Sequence, residues 1–195
     1  MTDTLRLFVG ISIGDAWTES LRSTAEELAE TLQRGGRWVR PELYHVTVVF
    51  LGNQPSGAAD NVADAMAGAA ASVEPFELRL RETVRFGRHE NGALVAAVDD
   101  PSGALQALRA RLDDELRRCG VRFDPRPLSP HVTLVRPKRG SGSLPATTVD
   151  LRGTPPLLVR ELDLIRSTLL PTGSQYQTIR SARLPSPAHR ERGRG

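Results

Sequence analysis

A ten-residue pattern occurs twice in this chain, and no other feature constrains the fold as much. Residues 40–49 read RPELYHVTVV and residues 126–135 read RPLSPHVTLV. Arg, Pro, His, Val, Thr and the final Val recur in register, 86 residues apart in a chain of 195. With four His, 15 Val and 14 Thr available, composition alone would produce the second His-Val-Thr roughly one time in sixty. The shared Arg-Pro lowers that figure further. A spacing close to half the chain points to two related lobes.

Strand geometry says what one copy of the pattern does. Successive side chains point to opposite faces, so His45 and Thr47 share a face while Val46 and Val48 turn into a core. His131 and Thr133 share a face in the same way, opposite Val132 and Leu134. Lobes related by a pseudo-twofold can therefore face two imidazole–hydroxyl pairs across a cleft. Two opposed histidines suit cleavage of a phosphodiester, one activating water and the other protonating the leaving oxygen. The two threonine hydroxyls, with backbone N–H groups, can hold the non-bridging oxygens as charge builds. The scheme calls for no metal and no cofactor. A lone histidine on a strand is usually a packing residue; two in register are the reason to read these as catalytic.

The rest of the chain reads as about seven strands and three helices in mixed order, an α+β arrangement with antiparallel pairing. Strands are expected over 6–13, 38–52, 76–86, 93–98, 131–135, 157–170 and 176–182, with a hairpin joining the third and fourth. Apolar residues at Leu21, Ala25, Leu28 and Leu32 predict a helix over 16–32. Further helices are expected over 56–71 and 101–118, the latter with a cap from Asp99 or Asp100. Glu161 and Asp163 read as solvated, and Asp113, Asp114 and Glu115 as a polar helix face. A single domain over 1–184 is expected, followed by a disordered basic tail at 185–195.

Composition excludes several classes. No run approaches 18 apolar residues, so no membrane span is expected. The start lacks a signal-peptide pattern, and a lone Cys119 rules out a disulfide framework or a multi-cysteine metal site. A cytoplasmic location is the expectation. The tail holds three Arg and one Glu, so the net charge of +3 leaves the body nearly neutral. That body is not basic enough for a long polyanion footprint. Walker-type, nucleophile-elbow and HExxH signatures are absent. His89 and His189 read as a turn residue and a tail residue.

The paired motifs resemble the two-histidine phosphoesterase superfamily, and within it the RNA 2′,3′-cyclic phosphodiesterase branch, also called 2′-5′ RNA ligase. The resemblance extends to RLFV at 6–9, WVRPELYHVTVVFLG at 38–52, SPHVTLVR at 129–136, and LIRS at 164–167 followed by Gly173 and Tyr176. It implies a bilobal fold, with two pseudo-twofold lobes, antiparallel sheets lining a central cleft and helices outside. It implies hydrolysis of RNA ends or nucleotides carrying a 2′,3′-cyclic phosphate to a 2′-phosphomonoester. Nothing in the sequence demands more than a monomer, and no protein partner is expected. Carried over, His45 is the proton donor and His131 the proton acceptor, while Thr47 and Thr133 bind phosphate. Arg136 matches a nucleotide-contacting arginine. Strand parity puts it on the wrong face, so it needs a bulge or a strand end to reach the cleft. Phe8 and Phe50 are candidates for the nucleobase side, with core packing as the competing role. Tyr44 replaces a usual aliphatic residue and should point away from His45. The alternatives are the reverse reaction, 2′-5′ ligation, and a nucleotide-binding module without turnover.

Overall fold

The computed structural model describes residues 4–32, 36–87, 92–138, 144–171 and 173–185. His89, His189 and residues 186–195 of the expected tail lie outside these. Chain order is β1 (Thr4–Ser12), α1 (Gly14–Leu32), β2 (Gly36–Trp38), a 3₁₀ turn (Pro41–Leu43), β3 (His45–Pro55) and α2 (Ala58–Ala70). There follow β4 (Phe76–Phe86), β5 (Ala93–Asp99), α3 (Ala104–Arg118), β6 (His131–Pro137), β7 (Leu157–Val159), β8 (Glu161–Leu170) and β9 (Gly173–Arg183). One sheet runs β3-β1-β8-β9 and the other β2-β6-β5-β4-β7, and every strand pair is antiparallel. With the short β2 set aside, the two orders correspond position for position. The motif strand is β3 in one lobe and β6 in the other, each beside the strand that precedes its helix. No helix among the described residues is long and apolar enough to cross a membrane.

Two expected strands are each divided between the sheets. The run 38–52 breaks at the 3₁₀ turn, where Pro41 fixes φ and supplies no N–H, so β2 pairs with β6 while β3 pairs with β1. The run 157–170 breaks at Arg160, sending β7 to β4 and β8 to β1. Nothing in its apolar pattern announces that second switch.

The helices tie the lobes together. Trp17, Leu21, Thr24, Leu28 and Leu32 are the buried stripe of α1, at helical spacing. Its last turns pack Leu28 and Leu32 against Leu94 of β5 and Val135 of β6, in the opposite sheet from β1. α3 reaches the other way, through Arg109 to the Val48 carbonyl of β3, and α2 packs on α3, β8 and β9. Asp100 caps α3, its carboxylate accepting from the Gln106 N–H. Val46, Val48, Val132 and Leu134 share one core, each fully buried valine contributing roughly 1.5–3 kcal/mol. Tyr44 is buried as well; its hydroxyl has no hydrogen-bond partner among the described residues, and burial pushes its pKa up to about 12.

One detail repeats in both motif strands and sets the site. In β3 the register steps from Val49 opposite Val9 to Thr47 opposite Gly10, leaving Val48 as an extra residue. In β6 it steps from Val135 opposite Leu94 to Thr133 opposite Val95, leaving Leu134 as the extra residue. These are bulges at equivalent positions of the repeat. A bulge resets side-chain parity. Val48-Val49 and Leu134-Val135 are therefore consecutive buried pairs, and the next residues, Phe50 and Arg136, are exposed.

Candidate active site

Each histidine is held by the same local device. His45 Nδ1 lies 2.7 Å from the Leu43 carbonyl and His131 Nδ1 lies 2.7 Å from the Ser129 carbonyl. A carbonyl only accepts, so Nδ1 donates in both rings and Nε2 is left for chemistry. Thr47 Oγ1 sits 2.9 Å from His45 Nε2. The hydroxyl donates to a neutral ring and accepts from a charged one. Aromatic neighbours fix the rings. Phe8 and Tyr176 lie 4.8 and 5.3 Å from the His45 ring, and Phe86 lies 4.3 Å from the His131 ring.

The two motifs interleave rather than forming separate half-sites. One cavity, about 170 Å³, is lined by His131 together with Thr47, Phe50 and Phe86. The other, about 370 Å³, is lined by His45 together with Thr133, Arg136 and Tyr176. Each cavity thus takes its imidazole from one motif and its hydroxyl from the other. Both histidines are pushed below their ordinary value near 6.5, chiefly by burial and further by the Arg136 charge; His45 also feels His131. The bulge of β6 is what returns Arg136 to the face of His131 and Thr133. A surface of two imidazoles, two hydroxyls and one guanidinium can bind a phosphate and move protons on both sides of it.

The two phenylalanines part company. Phe50 is 44% exposed at the mouth of the His131 cavity. Phe8 is 3% exposed and serves as a wall against His45 and Tyr176. Asp163, read from sequence as solvated, is 5% exposed and accepts hydrogen bonds from Ser12 (2.8 Å) and Ser181 (2.6 Å). Its strand is covered on both faces at that point, and the two hydroxyls replace its water. Ser12 is the cross-strand partner of His45. Among the described residues no group of three or more His, Cys, Asp or Glu is placed to hold a metal.

Sequence reading missed Phe86 and Arg109, and quoted Tyr176 without a role. Arg109 is 7% exposed on α3. It pairs with Asp113 at 2.6 Å and donates to the carbonyls of Val48 (2.8 Å), Asp124 (2.9 Å) and Arg126 (3.3 Å). It therefore clamps the β3 bulge to the segment that leads into His131. The Asp124 N–H to the Phe50 carbonyl and Gln54 to the Arg122 carbonyl add to the same seam. The i, i+4 Arg-Asp spacing was visible, but it does not distinguish a buried clamp from a surface pair.

Comparison with known proteins finds relatives over most of the chain. The family model of the 2′-5′ RNA ligase superfamily matches residues 16–168, well over half of the chain. An RNA 2′,3′-cyclic phosphodiesterase of Geobacillus stearothermophilus is 32% identical over 146 residues, 73% of this chain and 46% of that protein. The chain thus spans about half the length of that relative. An RNA 2′,3′-cyclic phosphodiesterase of Thermus thermophilus is 28% identical over 199 residues, covering 98% and 96% of the two chains. Among solved structures, E. coli LigT complexed with 3′-AMP superposes with a TM-score of 0.75 at 22% identity, covering 93% of this chain and 99% of that one.

Proposed function

The chain belongs to the 2′-5′ RNA ligase superfamily, and from that premise we propose that it hydrolyses terminal 2′,3′-cyclic phosphates of RNA or nucleotides to 2′-phosphomonoesters. The observation that carries this is the interleaved pair of histidines, each fixed through Nδ1, with the charge of Arg136 reaching both. The phosphate sits between the two cavities. His131 Nε2 takes a proton from water as its oxygen attacks phosphorus. The P–O3′ bond breaks opposite the incoming oxygen, and His45 gives its Nε2 proton to O3′. The products are a 2′-phosphomonoester and a free 3′-hydroxyl. Thr47, Thr133 and Arg136 bind the non-bridging oxygens, whose charge grows in the transition state. Phe50 offers the terminal base an exposed ring.

The test is incubation of a nucleoside 2′,3′-cyclic phosphate in EDTA, resolving the 2′- from the 3′-phosphate. Clean 2′-phosphate is expected, at a rate that EDTA does not change. Release of 3′-phosphate would reverse the assignment of the leaving oxygen. Absence of turnover with ligand still bound would favour a binding module.

The electrostatics also predict a pH profile. The reaction needs His45 charged and His131 neutral, and both pKa values are lowered in the free protein. The bell in kcat/KM should therefore centre on the acid side of about 6.5. A bound anionic phosphate favours the charged imidazoles and raises both values, so the bell in kcat should sit at higher pH. A kcat/KM profile flat between pH 4 and 8 would contradict paired-histidine catalysis.

A further inference from the structure

We propose that the cavity holding His45 continues as a track for the RNA strand on the 5′ side of the cyclic phosphate, with Arg37 and Arg40 binding its phosphodiesters. The proposal rests on His45 being the acid that protonates O3′. On a ribose, O3′ lies beside C4′, which carries the 5′ chain, and O2′ lies beside C1′, which carries the base. An O3′ turned toward His45 therefore sends the 5′ chain into the His45 cavity and leaves the base toward Phe50 and Phe86.

The charges of the two cavities match that polarity. Arg37, Arg40 and Arg136 all line the His45 cavity and all are exposed. None has a carboxylate within ion-pair distance among the described residues; the guanidinium of Arg40 donates to the Ser174 carbonyl at 3.3 Å. The arginines of the His131 cavity are occupied, Arg109 by Asp113 and Arg126 by Asp124. Arg37 and Arg136 are also direct cross-strand partners of β2 and β6. Like charges at that position cost stability unless something neutralises them, and a phosphodiester lying across them does so. The facing wall suits the bases of the same strand: Tyr176, with Leu169 and Leu170 65% and 45% exposed. Arginines along the backbone and an apolar or aromatic wall for the bases are how single strands are held without sequence preference.

The experiment compares kcat/KM for a trinucleotide ending in a 2′,3′-cyclic phosphate with that for the mononucleoside cyclic phosphate, across a salt series. The wild type should favour the trinucleotide at least tenfold at low salt. The Arg37→Ala, Arg40→Ala double variant should cut that ratio at least fivefold. It should also flatten the salt dependence of the trinucleotide by roughly 1.4 in log–log slope, at about 0.7 per phosphate of a single strand. Single Arg→Gln variants, checked by thermal melting, give the same reading with less disturbance of β2. Equal efficiency on both substrates in the wild type overturns the track and leaves the hydrolase standing, whereas no turnover on either sinks the hydrolase. An equal loss on both substrates in the variants also overturns the track, as does an Arg126→Ala variant that removes the trinucleotide preference in their place.

Discussion

Replacing His131 by alanine is expected to lower kcat on a 2′,3′-cyclic mononucleotide by about 10²–10⁴-fold, the usual contribution of a positioned general base. His45→Ala should lose a similar factor through the leaving group. The two losses should not add. Proton removal from water and proton delivery to O3′ belong to one displacement, so the double variant should be little slower than the worse single one. Affinity for the 2′-phosphate product should fall far less, because Thr47, Thr133 and Arg136 remain to hold it. Steady-state kinetics on the three variants, with product binding by calorimetry, reads both quantities. A His131→Ala enzyme retaining a third of wild-type kcat would remove the base from the mechanism.

The second large effect is expected at Arg109, whose guanidinium nitrogens all donate to protein oxygens. Arg109→Ala leaves Asp113 and the carbonyls of Val48, Asp124 and Arg126 without their donor. Breaking a buried charge pair in this way costs about 3–5 kcal/mol, which lowers Tm by on the order of 10 °C in a chain of this length. The clamp joins the β3 bulge to the approach of His131, so the loss should reach catalysis too. At a temperature where the variant is fully folded, kcat should drop at least tenfold with KM nearly unchanged. Small misplacements of a catalytic group are that costly. Arg109→Lys, keeping the charge but not the fork of donors, should recover part of the Tm and less of kcat. A variant with lowered Tm and intact kcat would make Arg109 a packing residue only.

How far the sequence reveals this molecule depends on the range of the interaction. Helix α1 is legible because its buried stripe is a local period. The faces of His45 with Thr47 and of His131 with Thr133 are legible because strand alternation is local too. Arg136 shows where local reasoning stops. Simple parity puts it on the wrong face, and only the pairing of β6 with β5 creates the bulge that turns it back. The switch at Arg160 and the burial of Asp163 are equally non-local. Both follow from which strand lies alongside, and neither changes the residue types in the segment. Arg109 escapes for a related reason. Its helix period places it next to Leu108 on the buried side, but the carbonyls it satisfies come from segments distant in sequence.

The position of β8 carries a consequence for how the protein is made. It lies between β1 and β9 in the first sheet, so β1 has β3, which follows it closely, on one edge and β8, which is made much later, on the other. During synthesis β1 emerges long before residues 161–183 do, and until then only β3 is available to pair with it. The inner edge of β1 must stay open while everything between β3 and β8 is translated. Unpaired strand edges invite association with other chains. Gly10 and Val9, which later pair with Asp163 and Leu164, lie on that exposed edge in the nascent chain. His45 acquires its Tyr176 wall only when β9 closes the sheet. The catalytic pocket is therefore closed only by the last strand of this fold, although its first motif is read well before it.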